Sequence, residues 1–404
     1  MKKIGIIGAG PSGIMAAISA KNENNQVTLF EGNEIIGKKL LMTGGGRCNI
    51  TNAAYFDEFL DNVMTNSKFI YSAFTNFDNY GLIDFLNHNG LTTKIEDDGR
   101  VFPESEKSRD VIDFFEKKLK EKSIILKTGD RITKAYKDKY FYLTDQKNNT
   151  YIFDYLIVAT GGRSYPRTGS DGYGYKLARK FGHEIIDPKP VLVPIFIKDR
   201  LKLKAQSFKN IRITIETTKG NFSIDGDLMI NQNFLTGPCA LKASSFMRDK
   251  TIKALSIDFF PNLTYNELEK EILVLINENA KKSIENSLKS ILNNALIEEI
   301  LRLTKIDINK KASELTKLER KLIIEKIKNF NLMFDKLGSF ESAVVTRGGV
   351  DVKTINPKNM ESKLVDRLFF VGEILDIDSL TGGFNLQVYF STAYAAGTFI
   401  KENT

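Results

Sequence analysis

Apolar residues in this chain cluster into short runs without a polar face, each stopped by glycine or a small polar residue. Ile4-Gly5-Ile6-Ile7, Val27-Thr28-Leu29-Phe30, Ile124-Ile125-Leu126, Leu156-Ile157-Val158 and Phe369-Phe370-Val371 are of this kind. Such runs predict strands of a parallel sheet covered by helices on both faces. Helical stretches fall between them: Ile14-Met15-Ala16-Ala17-Ile18, much of 55–90, the amphipathic 111–120 and the terminal 388–399. Tyr140-Phe141-Tyr142-Leu143 and Tyr151-Ile152-Phe153 flank a polar turn and predict a hairpin. Residues 99–105 read as turn, and Asp130-Arg131-Ile132-Thr133 as the exit from the strand before it. The alternation of elements predicts an α/β fold with a Rossmann-like sheet.

Between 191 and 340 the pattern changes. Strand-like pieces at 191–197, 211–217, 228–230 and 252–259 precede a helical block at 264–337. There Ile272, Leu273, Ile276, Ile284, Leu288, Ile291 and Leu292 recur at helical spacing. Residues 315–328, after a short helix, have the outline of a helix-turn-helix, but their apolar positions suit the core of a bundle better.

The strongest chemical signal is Gly8-Ala9-Gly10-Pro11-Ser12-Gly13, between the first strand and the first helix. Gly8 permits a tight turn, Gly10 lets the backbone approach a pyrophosphate, and Gly13 lets helix and sheet pack closely. The free N–H groups of the helix start, near Ser12, then face the phosphates. Glu31 closes the second strand 18 residues past Gly13, where an acid accepts from ribose hydroxyls. Lys2-Lys3 ahead of an uncharged run suggests a signal peptide, but the glycines and Pro11 break its apolar region and no A-x-A site follows.

A loop with Lys39, Gly44-Gly45-Gly46, Arg47, Cys48 and Asn49 suits amides laid against a flat or anionic ligand. Lys39 and Arg47 offer positive charge to phosphate, and Asn49 offers both donor and acceptor. The thiol of Cys48 is a candidate proton donor to carbon, or a small residue packed beneath the ligand. Ala159-Thr160-Gly161-Gly162 ends another buried strand, and Gly372-Glu373 another. Thr381-Gly382-Gly383-Phe384-Asn385-Leu386-Gln387 opens the last helix, whose N-terminal dipole stabilises negative charge.

Those strand ends are the other two signatures of FAD proteins with two dinucleotide-type segments. Together with 44–52, 99–105, 161–170, 346–350, 360–363 and 382–387, they make the whole chain resemble the BaiN-like, or aminoacetone oxidase-like, FAD-dependent oxidoreductases. The resemblance implies a discontinuous FAD domain at 1–190 and 341–404, an inserted β-barrel at 191–262 and an inserted helical domain at 263–340. It implies non-covalent FAD near Gly8, Gly10, Ser12, Gly13, Glu31, Lys39, Gly45, Arg47, Cys48, Asn49, Ile132, Thr160, Gly161, Gly372, Glu373, Gly383, Asn385 and Leu386. It also implies NAD(P)H as a transient reductant, and steroid-like enones or uridine in 23S ribosomal RNA as substrates. The family often has a histidine in a Thr-His-x-Gly-x-Ser-Gly-Pro stretch. Here Asn231-Gln232-Asn233 stands at its start, and an amide cannot donate the proton a histidine could.

Charge adds to this picture. Of the net charge of +8, +7 falls in 191–340, where 25 Lys/Arg face 18 Asp/Glu. The densest part holds Lys198, Arg200, Lys202, Lys204, Lys209 and Arg212 against Asp199 alone. Such a surface attracts phosphates by counterion release, or is the solvated face of a lysine-rich protein. Two cysteines, Cys48 and Cys239, and two histidines, His88 and His183, argue against a disulfide framework and a His/Cys metal centre. They favour a reducing, cytoplasmic compartment, and no apolar run reaches a membrane span. No second glycine fingerprint follows a strand and no CxxC is present, so a nicotinamide has to dock on the flavin itself. Three classes stay open: a reductase of an activated double bond, an amine oxidase, and a flavoprotein that binds RNA or protein without catalysis.

Overall fold

The computed structural model describes residues 1–404, which divide into two compact units, Met1–Pro190 with Phe340–Thr404, and Val191–Ser339. In the first, five parallel strands stand in the order Leu368–Phe370, Tyr155–Val158, β1 (Lys2–Ile7), β2 (Asn25–Phe30), Ile125–Lys127. Ile4 to Ile7 are buried throughout, as strands covered on both faces must be. Gly5 is required because a Cβ there would lie 2.7 Å from the Phe153 ring.

Helix α1 (Pro11–Ala20) and the C-terminal helix Phe384–Glu402 pack closely against one another. A Cβ on Gly397 would come within 2.8 Å of the Ala16 carbonyl oxygen. The first and last thirty residues thus share one core, which explains why the unit is discontinuous. No helix is long and apolar enough to cross a membrane.

This unit also holds two antiparallel sheets of three strands. The predicted hairpin is present as Phe141–Asp145 and Thr150–Phe153. Ile132, read as the exit of a strand, instead begins the edge strand Ile132–Lys137, because Ile132 and Ala135 both reach the core. The segment read as turn at 99–105 contains the central strand Arg100–Pro103, held by its buried Val101 and Phe102.

In the second unit, seven antiparallel strands run from Phe330–Leu332 at one edge to Phe334–Leu337 at the other. These edge strands are separated in the chain by Met333 alone, so the sheet must curl until its edges nearly meet, giving a barrel. The predicted helical block therefore ends early, at Lys328, and 330–337 returns to the sheet. The strand expected over 191–197 is broken at Leu192, whose φ is 52°, and resumes as Ile195–Ile197.

Capping boxes open two helices, Thr264 with Glu267 and Thr316 with Glu319. Ile323, Ile324 and Ile327 of the second face the same core as the sheet, which leaves no free recognition helix. Sheet and helices share that one core, so nothing in the packing separates 191–262 from 263–340.

Candidate functional site

Three segments of the first unit meet at the end of β1. Gly8, at φ 102°, sits so close to the next strand that a Cβ would lie 2.5 Å from the Ala159 carbonyl. A Cβ on Gly13 would lie 1.7 Å from the Gly8 carbonyl oxygen, and one on Gly372 2.0 Å from Ser12 Oγ. By contrast, a Cβ on Gly10 would meet nothing within 4 Å. Helix α1 begins with Pro11, has no side-chain cap and no acid in its first turn. Its free N–H groups and dipole therefore face an open cradle suited to an anion. At the end of β2, Glu31 accepts from the Ala9 amide at 2.9 Å and from Asn33 N and Nδ2 at 2.9 and 2.7 Å. Its carboxylate is thereby fixed beside the turn, with Oε2 taking one protein donor and Oε1 two.

The glycine loop follows. Gly44, Gly45 and Gly46 take φ of 57°, 67° and 89° in succession, a path that side-chain-bearing residues resist. Beyond Gly45 and Gly46 lies open space. Asn49 Oδ1 is buried without a partner, as is Thr160 Oγ1, beside Gly161 on the adjoining turn. Arg47 does not reach toward the cradle. It pairs with Glu96 at 2.7 Å and lies 4.0 Å over the Phe102 ring.

Lys39 is likewise committed. Its ammonium donates to Glu373 at 2.8 Å, and the same carboxylate accepts from Ser164 Oγ at 2.6 Å and the Thr346 amide at 3.0 Å. Glu373 is thus occupied by protein rather than turned outward. Nearby, Arg347 grips the buried Asp378 with Nε and Nη2, both at 3.0 Å, while Thr65 donates to the same carboxylate. Asp378 precedes the loop that leads to Gly383, where a Cβ would strike the Thr51 carbonyl at 2.2 Å. Asn385 holds that loop, accepting from Ser379 N at 2.9 Å and donating to the Ser379 carbonyl at 2.9 Å. Leu386 is half-buried and Ile132 is in the core. Reading the sequence missed Arg347, Asp378, Ser164 and Thr346 as a site. The segments holding Ser164 and Arg347 were noticed, yet no spacing rule joins residues so far apart.

The proton donor considered from sequence is withdrawn from solvent. Cys48 is fully buried, and burial pushes its thiol up to about 12, so it stays protonated and packs beneath the loop. With no exposed surface, the thiol has no path to a substrate outside the core. Cys239 is also buried and pushed up to about 12.

His183 bonds Thr354 Oγ1 and Ser362 Oγ, both at 2.8 Å, and burial lowers it to about 4. It is a neutral structural residue. Its folded value lies below the unfolded value of 6.5, so its contribution is full above pH 6.5 and is lost as pH falls toward 4. The melting temperature of the parent should therefore fall toward that of His183→Gln as pH drops from 7.5 to 4.5; a constant gap between the two refutes this.

In the second unit, Lys198, Arg200, Lys202, Lys204 and Lys209 are exposed and make no salt bridge. Buried Ile197, Leu201 and Leu203 are interspersed with them, so the irregular segment 198–204 exposes four cations within seven residues. Arg212 departs from the expected set, being held bidentately by Asp225 at 2.6 and 2.7 Å. The loop carrying the exposed Gln232 runs alongside: the Leu201 amide donates to the Gln232 carbonyl at 2.8 Å and Ile197 N to Asn233 at 2.9 Å.

Residues 2–399 match the family described as HI0933-like protein Rossmann domain. The chain belongs to that family. With this HI0933-like membership come the oxidoreductase class and FAD as cofactor. The chain is 30% identical to a 3-dehydro-bile acid delta(4,6)-reductase of Clostridium scindens over 100% of both proteins. It is 30% identical to a ribosomal RNA dihydrouridine synthase of Haemophilus influenzae over 98% of both. The fold resembles the open conformation of a flavocytochrome c3 fumarate reductase, with a TM-score of 0.54, 15% identity, and coverage of 99% of this chain and 78% of the other. The residues of the HI0933-like site fit FAD. An open cradle stands at Gly10, clear space at Gly45 and Gly46, and orphaned polar atoms at Asn49 and Thr160 await partners.

Proposed function

We propose that this chain is an NAD(P)H-driven reductase of a carbon–carbon double bond conjugated to a carbonyl, and that its substrate is uridine in 23S ribosomal RNA, giving dihydrouridine. Gly10 and the first turn of α1 bind the pyrophosphate of FAD, Glu31 the adenosine ribose, and Asn49, Thr160 and the Gly44–Gly46 amides the flavin end. A bound FAD would supply hydride transfer from the nicotinamide to the substrate's β-carbon, the resulting enolate taking its proton from solvent water.

The protein's own groups hold charge and orientation. The start of helix Phe384–Glu402 carries roughly half a positive charge, which stabilises negative charge lying against it. Arg347, held by Asp378 through Nε and Nη2, places a fixed cation against the loop that leads to this helix.

The observation that carries the RNA reading is the cluster of exposed cations Lys198, Arg200, Lys202 and Lys204, unpaired with any carboxylate. A folded RNA needs phosphate contacts for positioning and a splayed-out base for chemistry. The name of the H. influenzae relative, a ribosomal RNA dihydrouridine synthase, supports uridine in ribosomal RNA as the substrate class. The equally similar bile acid reductase favours a second reading, reduction of a steroid-like enone, which needs no basic surface.

Mass spectrometry of ribosomal RNA from a deletion strain tests the proposal: uridines should lose a two-hydrogen mass increment that the intact gene restores. Unchanged RNA masses rule out the rRNA substrate. In vitro, alanine at the four cations should reduce the dependence of log affinity on log salt by about 3 for a single-stranded fragment. An unchanged slope refutes their contact with phosphate. Anaerobic bleaching of the flavin by NADH or NADPH separates a reductase from a non-catalytic flavoprotein, and hydrogen peroxide from a primary amine would reveal an oxidase.

A further inference from the structure

We propose that the first unit carries a second nucleotide-binding site, in a cleft at the end of the parallel sheet opposite the glycine turn. The cleft is a shallow depression, largely open to solvent, with a volume of about 680 Å³. Its walls are Lys134, Tyr136 and Lys137 of the edge strand, Lys180 and Phe181 at the end of helix Tyr173–Lys180, and Leu364.

Residues 364–366 lead into the amino end of Leu368–Phe370, and the carboxyl end of that strand leads to Gly372. The strand is parallel to Tyr155–Val158, which is parallel to β1, so the cleft and the Gly8 turn lie at opposite ends of the sheet. The dinucleotide held at the turn therefore leaves this cleft open to another ligand.

Its chemistry comes in three parts. Tyr136 is 55% exposed, although its ring stacks on Tyr142 with centroids 4.9 Å apart and planes 8° apart. The two tyrosines are paired across neighbouring strands, and Tyr136 belongs to the sheet's edge. One ring face is thus backed by Tyr142 and the other is open, a rigid platform on which a base stacks. Lys134 and Lys180 are exposed and make no salt bridge, while Lys137 donates to the Asp366 carbonyl at 2.7 Å. Asp138 and Asp366 also line the cleft. Carboxylates would repel a simple anion, but they accept from the exocyclic and ring N–H donors of a base. An aromatic plane, acceptors for a base edge and cations for phosphate together describe a nucleotide. A free nucleotide and a nucleotide within an RNA strand present the same groups. The site therefore stands whether or not RNA is the substrate.

Flavin-loaded protein titrated with AMP or GMP, and separately with a short single-stranded oligoribonucleotide, provides the test. The variants are Tyr136→Ala and the double variant Lys134→Ala/Lys180→Ala. All three side chains are exposed, so folding is undisturbed, which the flavin spectrum and melting temperature check. Saturable binding is expected, weakened at least about tenfold by either variant. Dependence on these residues with mononucleotides identifies a free nucleotide as ligand; dependence with the oligonucleotide alone identifies a strand. No saturable binding of either probe, or binding indifferent to both variants, overturns the proposal.

Discussion

Gly10→Ala is expected to fold as stably as the parent and yet to purify nearly colourless. Gly10 has φ −77° and ψ −178°, a conformation alanine adopts freely, and the added methyl meets no protein atom within 4 Å. Protein stability therefore has no reason to fall. The same methyl enters the cradle where a pyrophosphate would touch the backbone, so the loss falls on the ligand alone. Flavin retention should drop at least about tenfold, equivalent to about 1.4 kcal/mol or more.

Gly13→Ala supplies the contrast, since its methyl would lie 1.7 Å from the Gly8 carbonyl and the turn itself must open. That variant should lose flavin and stability together. Absorbance in the flavin band per mole of protein, alongside thermal melts of the stripped proteins, separates the two. A yellow Gly10→Ala protein with the parent's flavin content would move the pyrophosphate elsewhere.

This contrast also marks what the sequence made legible. The glycine turn is a local device: its spacing dictates where backbone must approach backbone, and strand, helix and acid follow within thirty residues. Charge type was equally plain, but not its partner. Lys39 and Arg47 look alike in sequence as phosphate ligands, whereas the fold gives one to Glu373 and the other to Glu96. Arg212 belongs to the basic row by composition and is removed from it by Asp225, its partner across two strands.

The strands at 330–337 escaped notice for a different reason. Phe330 and Leu332 show only one period of alternation before Met333, too short to stand out after a long lysine-rich helix. The thiol of Cys48 was a reasonable acid until burial was known, because reactivity depends on exposure and a sequence does not display it. What could be read was written in neighbours, and what could not was written in contacts between distant segments.

The most consequential of those distant contacts should respond strongly to Glu373→Ala. Glu373 is 5% exposed and binds Lys39, Ser164 and Thr346, residues drawn from three separate stretches of the chain. Removing the carboxylate leaves the Ser164 hydroxyl and Thr346 amide without their acceptor and the Lys39 ammonium with Ser164 Oγ alone. Breaking such a pair from one side costs about 3–5 kcal/mol when both charges are buried. The Lys39 side chain retains 22% exposure and can recover part of its hydration, so about 2–3 kcal/mol is the expected loss.

Glu373→Gln keeps shape and one acceptor and should lose less. Lys39→Met combined with Glu373→Gln should regain part of the remainder, because the unpaired charge is gone. Urea denaturation of the flavin-free proteins reads this without interference from ligand binding. Strict additivity of the two single changes would show that Lys39 and Glu373 do not act as a pair. The loop carrying Lys39 would then be held against Glu373 without an energetic contribution from that ion pair.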